Sequence, residues 1–305
     1  MLFATDLDRT LIYSLGAAAG RGRVDAGQLR VVEYLDGGPL SYMTARAIEL
    51  LRELWPLVRV VPVTTRTIEQ YRRIELFGSI LVPEYAVAAN GGHLVHRGVC
   101  DPDWNAAVRA ELSGSCAGVS EIAGELSRAG AAWATRVRVA DDLFVYAIVD
   151  RSAVGPCELA DLAERLGGAG WELSLQGRKL YAVPRPLDKW RAVEEVGRRT
   201  GDFLVVAAGD SLLDRSLLDR SGFSIRPAHG ELEAVAYPAD LVTRRAGATA
   251  AEEVLEAALG RSGATPRAAS AMMRAPRHPT DHPDGPSRRE DRPCAAVGPA
   301  EDKDR

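Results

Sequence analysis

The sequence predicts an α/β protein with a doubly wound parallel sheet and a second, α+β domain inserted into it. Apolar runs alternate with amphipathic helical patterns, the middle third follows another pattern, and the composition changes sharply near Gly260. With 305 residues, 46% of them apolar and 26% charged, the chain is long enough for one large domain or two ordinary ones.

The strands of the parallel sheet are predicted from short apolar runs suited to burial on both faces. These runs are Leu2–Thr5, Val58–Val63, Tyr85–Ala89, Phe203–Ala208 and Phe223–Ile225. Helical patterns separate them at Thr44–Trp55, Thr67–Phe77 and Lys189–Arg199, and Gly201 is placed to end the last helix. Because strands joined by helices run parallel, we expect ligands at the carboxyl ends of these strands.

The middle third has the pattern of an α+β domain rather than of further parallel sheet. Its predicted elements are the strands Ala132–Val139 and Leu143–Val149, the helix Cys157–Leu166, and a final hairpin of Trp171–Leu175 and Leu180–Val183. We therefore predict a discontinuous core of residues 1–92 and 185–260, with an inserted domain of residues 93–184.

Two further segments stand apart from this pattern. Residues 261–305 hold seven of the seventeen prolines and nine Lys/Arg, with almost no large apolar side chain, which predicts a disordered tail. Between Ser14 and Thr44 the sequence predicts a hairpin turning at Gly37-Gly38, either as a flap over a site or as a contact surface.

Composition excludes several classes of function. The net charge of −4 is too small for a nucleic-acid surface, and no apolar run has the length of a membrane span. Because no secretory signal is visible, we expect a cytoplasmic protein without membrane or nucleic-acid partners. The four cysteines, Cys100, Cys116, Cys157 and Cys294, lack metal-ligand spacing.

Polar residues follow four of the predicted strands at the point where each strand ends. They are Asp6-Leu7-Asp8-Arg9-Thr10, Thr64-Thr65-Arg66, Asn90-Gly91 and Gly209-Asp210-Ser211, with Asp214 four residues after Asp210. Lys189 begins the helix before the fourth of these strands. Since the strand ends face one crevice, the carboxylates and the lysine together suit a hard cation such as Mg²⁺.

Taken in order, DLDRT, VPVTTR, LDKW and GDSLLD resemble the four motifs of the haloacid dehalogenase-like (HAD) phosphatase superfamily, over residues 1 to about 245. The large insertion between the second and third motifs is similar to that of Cof-like, sucrose-phosphate and mannosyl-3-phosphoglycerate phosphatases. The resemblance implies a Rossmann-like core with an α+β cap domain. It also implies Mg²⁺-dependent hydrolysis of a small phosphomonoester, such as a sugar phosphate or a similar hydroxylated metabolite.

The resemblance also implies a role for each matching residue. Asp6 would form an aspartyl-phosphate, and Asp8 would act as acid and base, with its pKa held near the working pH by its like-charged neighbour. Thr64 and Lys189 would contact the phosphoryl group, and Asp214 would orient Lys189 or a metal-bound water. Mg²⁺ ligands are expected among Asp6, Asp8, Asp210 and Asp214, and substrate contacts among Thr10, Thr65, Arg66, Asn90, Gly91 and Arg178.

Several alternatives stay open at this level. Thr65 can replace Thr64 as the phosphate ligand, and GDSL at Gly209–Leu212 matches a serine esterase motif with Ser211 as nucleophile. A phosphometabolite-binding or regulatory protein without turnover, or a phosphoryl-transferring mutase, would share the same motifs. Arg9 stands where the family often has Gly. The sequence does not define the substrate, the pathway or the oligomeric state.

Overall fold

The computed structural model describes residues 1–20 and 25–263, and the predicted tail from residue 264 onward lies outside these described residues. The strands are β1 (Leu2–Thr5), β2 (Leu29–Leu35), β3 (Gly38–Thr44), β4 (Arg59–Pro62), β5 (Tyr85–Ala88), β6 (His93–His96), β7 (Val99–Cys100), β8 (Ala134–Ala140), β9 (Phe144–Val149), β10 (Trp171–Gln176), β11 (Lys179–Pro184), β12 (Val205–Ala208), β13 (Phe223–Arg226) and β14 (Leu241–Val242). The helices are α1 (Leu15–Ala18), α2 (Ala45–Leu54), α3 (Ile68–Arg72), α4 (Pro102–Ser115), α5 (Val119–Ala129), α6 (Pro156–Gly168), α7 (Lys189–Thr200), α8 (Arg215–Arg220), α9 (Glu231–Ala234) and α10 (Ala250–Ser262).

The central sheet is parallel and has the strand order β14–β13–β12–β1–β4. Its two faces bury separate apolar clusters, because alternate residues of a strand point to opposite sides. Phe3 packs with α2 and α10 on one face, and Leu2 packs with α7 and α8 on the other. The predicted doubly wound α/β core is confirmed. The prediction that Tyr85–Ala89 belongs to this sheet is wrong, because β5 pairs antiparallel with β6 and meets the chain after β4 only through a bridge between Val63 and Val87.

The inserted cap has an antiparallel sheet of order β10–β11–β9–β8, whose apolar cluster includes Phe144 and Trp171. Helices α5 and α6 supply Leu126 and Leu162 to that cluster. The hairpin β5–β6 lies across the predicted boundary at residues 92/93, because β6 pairs residue by residue with β5. The division into domains stays a prediction, and this pairing favours a boundary after β7.

A hairpin of β2 and β3, which we call the flap hairpin, follows the first strand and turns at Asp36-Gly37, one residue before the predicted Gly37-Gly38. Asp36 and Gly37 have positive φ angles of 52° and 76° in its turn. Two backbone hydrogen bonds join Tyr42 of β3 to Tyr13 of the chain after β1, at 2.9 and 2.8 Å. The flap hairpin is therefore anchored beside the segment that carries the first motif.

One predicted helix is broken in the structure. The pattern over Thr67–Phe77 predicts a single helix, but α3 ends at Arg72 and a π-helical turn follows at Leu76–Ile80. Ile74, between the two, forms a backbone bridge with Glu33 of the flap hairpin. Pairing with a neighbouring strand therefore interrupts the helical pattern at this point.

Candidate active site

The parallel strands bring the predicted site residues to one edge of the central sheet. The amide of Asp6 donates to the carbonyl of Ala208 at 2.8 Å, and the amide of Val63 donates to the carbonyl of Thr5 at 2.8 Å. The segments that follow β1, β4 and β12 are thus held side by side. Asp6, Thr64 and Asp210 are all buried there.

Lys189 links the first and last motifs in an ion-pair cluster that we call the core triad (Asp6, Lys189 and Asp214). Its Nζ lies 2.7 Å from Oδ1 of Asp6 and 2.6 Å from Oδ1 of Asp214, and all three side chains are buried. Burial opposes the charged form of Lys189, but the two carboxylates outweigh this effect and raise its pKa above the ordinary value. The lysine is therefore a fixed cation in the crevice.

The start of α7 holds Lys189 in this position. Asp188 caps the helix by accepting from the amide of Trp190 at 2.6 Å. Asn90 donates from Nδ2 to the carbonyl of Leu187 at 2.8 Å. Gly91 has a φ of 103°, and a Cβ there would lie 2.3 Å from the carbonyl oxygen of Asp188. Asn90 and Gly91, predicted as substrate contacts, thus pack against the segment that presents the lysine.

The carboxylates Asp6, Asp210 and Asp214 form a buried acidic cluster whose nearest oxygens lie within 4.8 Å of one another. Burial raises the pKa of Asp6 to about 7, although Lys189 opposes this shift. Burial and the nearby charges of Asp6 and Asp214 raise the pKa of Asp210 well above its ordinary value. Mutually repelling buried carboxylates favour a divalent cation, so the residues fit Mg²⁺.

Within that cluster, both oxygens of Asp214 already accept hydrogen bonds. Its Oδ1 accepts from Lys189, and its Oδ2 accepts from the amide of Asp210 at 3.1 Å and from the amide and hydroxyl of Ser211 at 2.9 and 2.8 Å. Asp214 therefore positions Lys189 and the loop after β12. Ser211 is occupied in the same contact, which disfavours the serine esterase interpretation.

Asp8 belongs to a second ion-pair cluster, the flap triad (Asp8, Arg66 and Glu33). Arg66 donates to both oxygens of Asp8, from Nε at 2.7 Å and from Nη2 at 2.8 Å. Its Nη1 lies 2.8 Å from Oε2 of Glu33, which is fully buried on β2. Ser41 of β3 donates to the same carboxylate at 2.5 Å.

The flap triad changes the expected titration of Asp8. Desolvation opposes its ionisation, but the charge and hydrogen bonds of Arg66 outweigh this effect and lower its pKa to about 2. The expectation that a like-charged neighbour holds the pKa of Asp8 near the working pH is wrong for this conformation. The sequence motif contains Arg66 but does not show that it pairs with Asp8 rather than with a ligand.

The other residues predicted to contact the substrate differ in their burial and in their hydrogen bonds. Thr64 is buried and accepts from the amide of Arg66 at 3.1 Å, and the neighbouring Thr65 is also buried. Thr10 is buried, and its hydroxyl has no hydrogen-bond partner among the described residues. Arg178 is exposed in the turn between β10 and β11, whereas Lys179 next to it interacts electrostatically with Asp8.

Sequence reasoning missed two carboxylates that connect the site to its surroundings. Glu33 lies in the flap hairpin, where alternation predicts no buried charge. Glu231 accepts from the hydroxyl of Ser174 at 2.5 Å and from the amide of Leu175 at 2.6 Å, both on cap strand β10. It also accepts from the amide of Leu212 at 3.1 Å, so it joins the cap to the loop after β12. Neither residue belongs to a short motif.

Comparisons with known proteins agree with this architecture. Sucrose-phosphatase from Synechocystis sp. PCC6803, solved with sucrose and phosphate, is 16% identical with a TM-score of 0.60, over 85% of this chain and 97% of that one. A haloacid dehalogenase-like hydrolase from B. subtilis is 16% identical with a TM-score of 0.52, over 84% and 98%. A HAD subclass IIB sugar phosphatase is 11% identical with a TM-score of 0.51, over 79% and 92%.

These likenesses confirm the fold that the four motifs predict: a doubly wound, Rossmann-like core carrying an α+β cap. No protein-family model and no curated protein sequence matches the chain. Among the residues that the structure describes, no helix has the length and apolarity to cross a membrane.

Proposed function

We propose that this protein is a Mg²⁺-dependent phosphatase that hydrolyses a small phosphomonoester through an aspartyl-phosphate on Asp6. The observation that carries the proposal is the core triad, which holds a buried carboxylate against a fixed cation at the carboxyl end of β1. The likeness in fold to sugar phosphatases supports a sugar phosphate or a similar hydroxylated metabolite as the substrate class.

In the first step, Oδ2 of Asp6 attacks phosphorus in line with the leaving oxygen. The bond between phosphorus and the ester oxygen breaks, and that oxygen takes its electron pair and a proton from Asp8. Lys189, bonded to Oδ1 of Asp6, balances the charge that gathers on the transferred group. Thr64 donates a hydrogen bond from its hydroxyl group to a phosphoryl oxygen.

In the second step, water attacks the same phosphorus and gives its proton to Asp8. The bond between phosphorus and Asp6 breaks, which releases inorganic phosphate and restores both carboxyl groups. Asp8 can donate a proton only when it is not paired with Arg66, since that pair lowers its pKa to about 2. We therefore propose that substrate binding draws Arg66 away from Asp8.

Mg²⁺ would be held by Asp6, Asp210 and the backbone carbonyl of Asp8. When bound, it supplies positive charge that lowers the repulsion between Asp6 and a phosphate dianion. We assign Asp214 to positioning Lys189, because both of its oxygens are engaged. The cytoplasmic location and the substrate contacts proposed for Thr10, Thr65, Asn90, Gly91 and Arg178 stay predictions.

The test is hydrolysis of p-nitrophenyl phosphate with Mg²⁺ and with EDTA in its place. We expect activity only with Mg²⁺, and a loss of about 10³-fold or more in Asp6→Asn. Asp161→Asn, an exposed aspartate on α6, is the matched control and should keep full activity. Activity that survives Asp6→Asn would remove Asp6 from the mechanism.

A second candidate is a phosphometabolite-binding protein without turnover, and the pairing of Asp8 with Arg66 is the observation that favours it. A panel of phosphate esters separates the two functions: binding of esters without release of phosphate supports this candidate. A phosphoryl-transferring mutase would instead pass the phosphoryl group to an organic acceptor. In ¹⁸O-labelled water, the phosphate of its product would then contain no ¹⁸O.

A further inference from the structure

Arg9 adopts a backbone conformation that usually favours glycine. Its φ is 65°, in the left-handed region where a side chain costs conformational energy. Strained backbone of this kind persists where the surrounding structure requires it and is concentrated at functional sites. Because glycine would adopt this conformation without strain, the presence of an arginine at position 9 suggests that its side chain has a function.

The guanidinium of Arg9 lies between Asp210, at the carboxyl end of the central sheet, and the cap. Its Nε lies 3.2 Å from Oδ2 of Asp210, and the side chain is 35% exposed. A Cβ on Gly177, in the turn between β10 and β11, would lie 3.9 Å from Nη1 of Arg9. The contact with Asp210 is an ion pair without hydrogen-bond geometry, because Nε has no hydrogen-bond partner among the described residues.

Lys179, two residues after Gly177 and the first residue of β11, places a second cation beside the cap turn. Its Nζ lies 5.8 Å from the ring of Tyr146 and interacts electrostatically with Asp8. Among residues 1–20 and 25–263, no carboxylate forms a salt bridge with it. Lys189 and Arg66 differ from Lys179 because two carboxylates hold each of them.

We propose that Arg9 and Lys179 form a second anion-binding subsite, so that the accepted ester carries a carboxylate or a second phosphate on its leaving group. The inference rests on the proposed function for the place of the transferred phosphate beside Asp6. The leaving oxygen then lies near Asp8, and the rest of the ester extends toward the cap turn. Charge-assisted hydrogen bonds there select an anion over a hydroxyl.

Isothermal titration calorimetry with the Asp6→Asn chain tests this subsite by binding alone, with and without Mg²⁺. The probes form two matched pairs: glycerol 3-phosphate with 3-phosphoglycerate, and fructose 6-phosphate with fructose 1,6-bisphosphate. We expect the added anion to tighten binding about tenfold or more in at least one pair. A response in the first pair indicates a carboxylate subsite, and a response in the second pair indicates a phosphate subsite.

Adding Arg9→Gln to the Asp6→Asn chain should abolish most of this preference, and Lys179→Gln should lower it as well. Arg9→Gly, which also removes the backbone strain, serves as the second variant if Arg9→Gln folds poorly. Equal affinity within both pairs overturns the proposal, as does a failure of both added-anion probes to bind. Equal weakening of all four probes in Arg9→Gln also overturns it, because Arg9 would then serve the transferred phosphate.

These outcomes are independent of turnover. Anion preference in the Asp6→Asn chain, with no hydrolysis by the unsubstituted protein, would refute the proposed function and leave the subsite standing. Hydrolysis of esters with no anion preference in binding would refute the subsite and leave the phosphatase proposal standing.

Discussion

The core triad and the flap triad have the same pattern of charges but different surroundings. Each consists of one cation held between two carboxylates, and each includes one aspartate of the first motif. The core triad is wholly buried between strand and helix ends. The flap triad combines a half-exposed Asp8 with a glutamate from a surface hairpin.

This difference separates a permanent feature of the site from one that has to open for Asp8 to act as the proposed acid. A buried charge cluster is costly to break, so Lys189 stays beside Asp6 in every step of the proposed reaction. Asp8, by contrast, cannot act as an acid while Arg66 donates to both of its oxygens. The comparison teaches that the proposed nucleophile, Asp6, is preorganised by the core, whereas the proposed acid, Asp8, depends on the flap hairpin.

The largest effect on stability is expected from removing the cation of the core triad. Lys189→Met leaves Asp6 and Asp214 buried without their partner, which should lower the free energy of unfolding by about 3–5 kcal/mol. Activity toward p-nitrophenyl phosphate should fall by about 10²–10³-fold. Urea denaturation and steady-state kinetics measure the two effects.

Arg46→Gln is the matched surface control for that prediction. Arg46 also lies between two carboxylates, Glu49 and Glu53, but all three side chains are exposed. Its loss should change stability by less than about 1 kcal/mol. A similar small change in Lys189→Met would show that the core triad is not a buried charge cluster in solution.

A smaller loss is expected from the flap triad. Arg66→Met should lower the free energy of unfolding by about 2–3 kcal/mol, because Glu33 stays buried but keeps Ser41 and Arg73 as partners. The double variant Arg66→Met/Glu33→Gln should recover at least half of that loss, since it removes the unpaired charge. Urea denaturation of both variants gives these values, and a loss above that of Lys189→Met would contradict the comparison.

The flap triad also predicts how the loss of stability in Arg66→Met changes with pH. The pKa of Asp8 is lowered in the folded protein, so the pair stabilises the fold above the ordinary pKa of about 3.9 and ceases to do so as the pH falls toward about 2. The stability difference between the unsubstituted protein and Arg66→Met should therefore shrink as the pH falls from 5 to 3. A stability difference that stays constant over this pH range would mean that Arg66 does not pair with Asp8 in solution.

The same contrast marks how much the sequence could predict. Strand ends and motif order predicted Asp6, Lys189 and Asp210 together, because a parallel sheet aligns its carboxyl ends whatever its loops do. Glu33 could not be predicted, since its burial depends on how a surface hairpin packs against Arg66. The break in the helix over Thr67–Phe77 has the same origin, because Ile74 pairs with that hairpin.

The smallest effect is expected at Ser211, next to the core triad. Its hydroxyl donates to Oδ2 of Asp214 at 2.8 Å, but the amides of Asp210 and Ser211 donate to the same oxygen. Ser211→Ala therefore removes one of three donors, and should cost about 1 kcal/mol of stability and less than tenfold in phosphatase activity.

Ser221→Ala, which removes a buried hydroxyl bonded to the carbonyl of Leu218 at 2.9 Å, controls for that loss. The two variants should lose similar stability, and only Ser211→Ala should alter kinetics. A serine esterase would instead lose hydrolysis of p-nitrophenyl acetate completely in Ser211→Ala. That result would move the nucleophile from Asp6 to the loop after β12, and the core triad would then position a hydroxyl rather than a carboxylate.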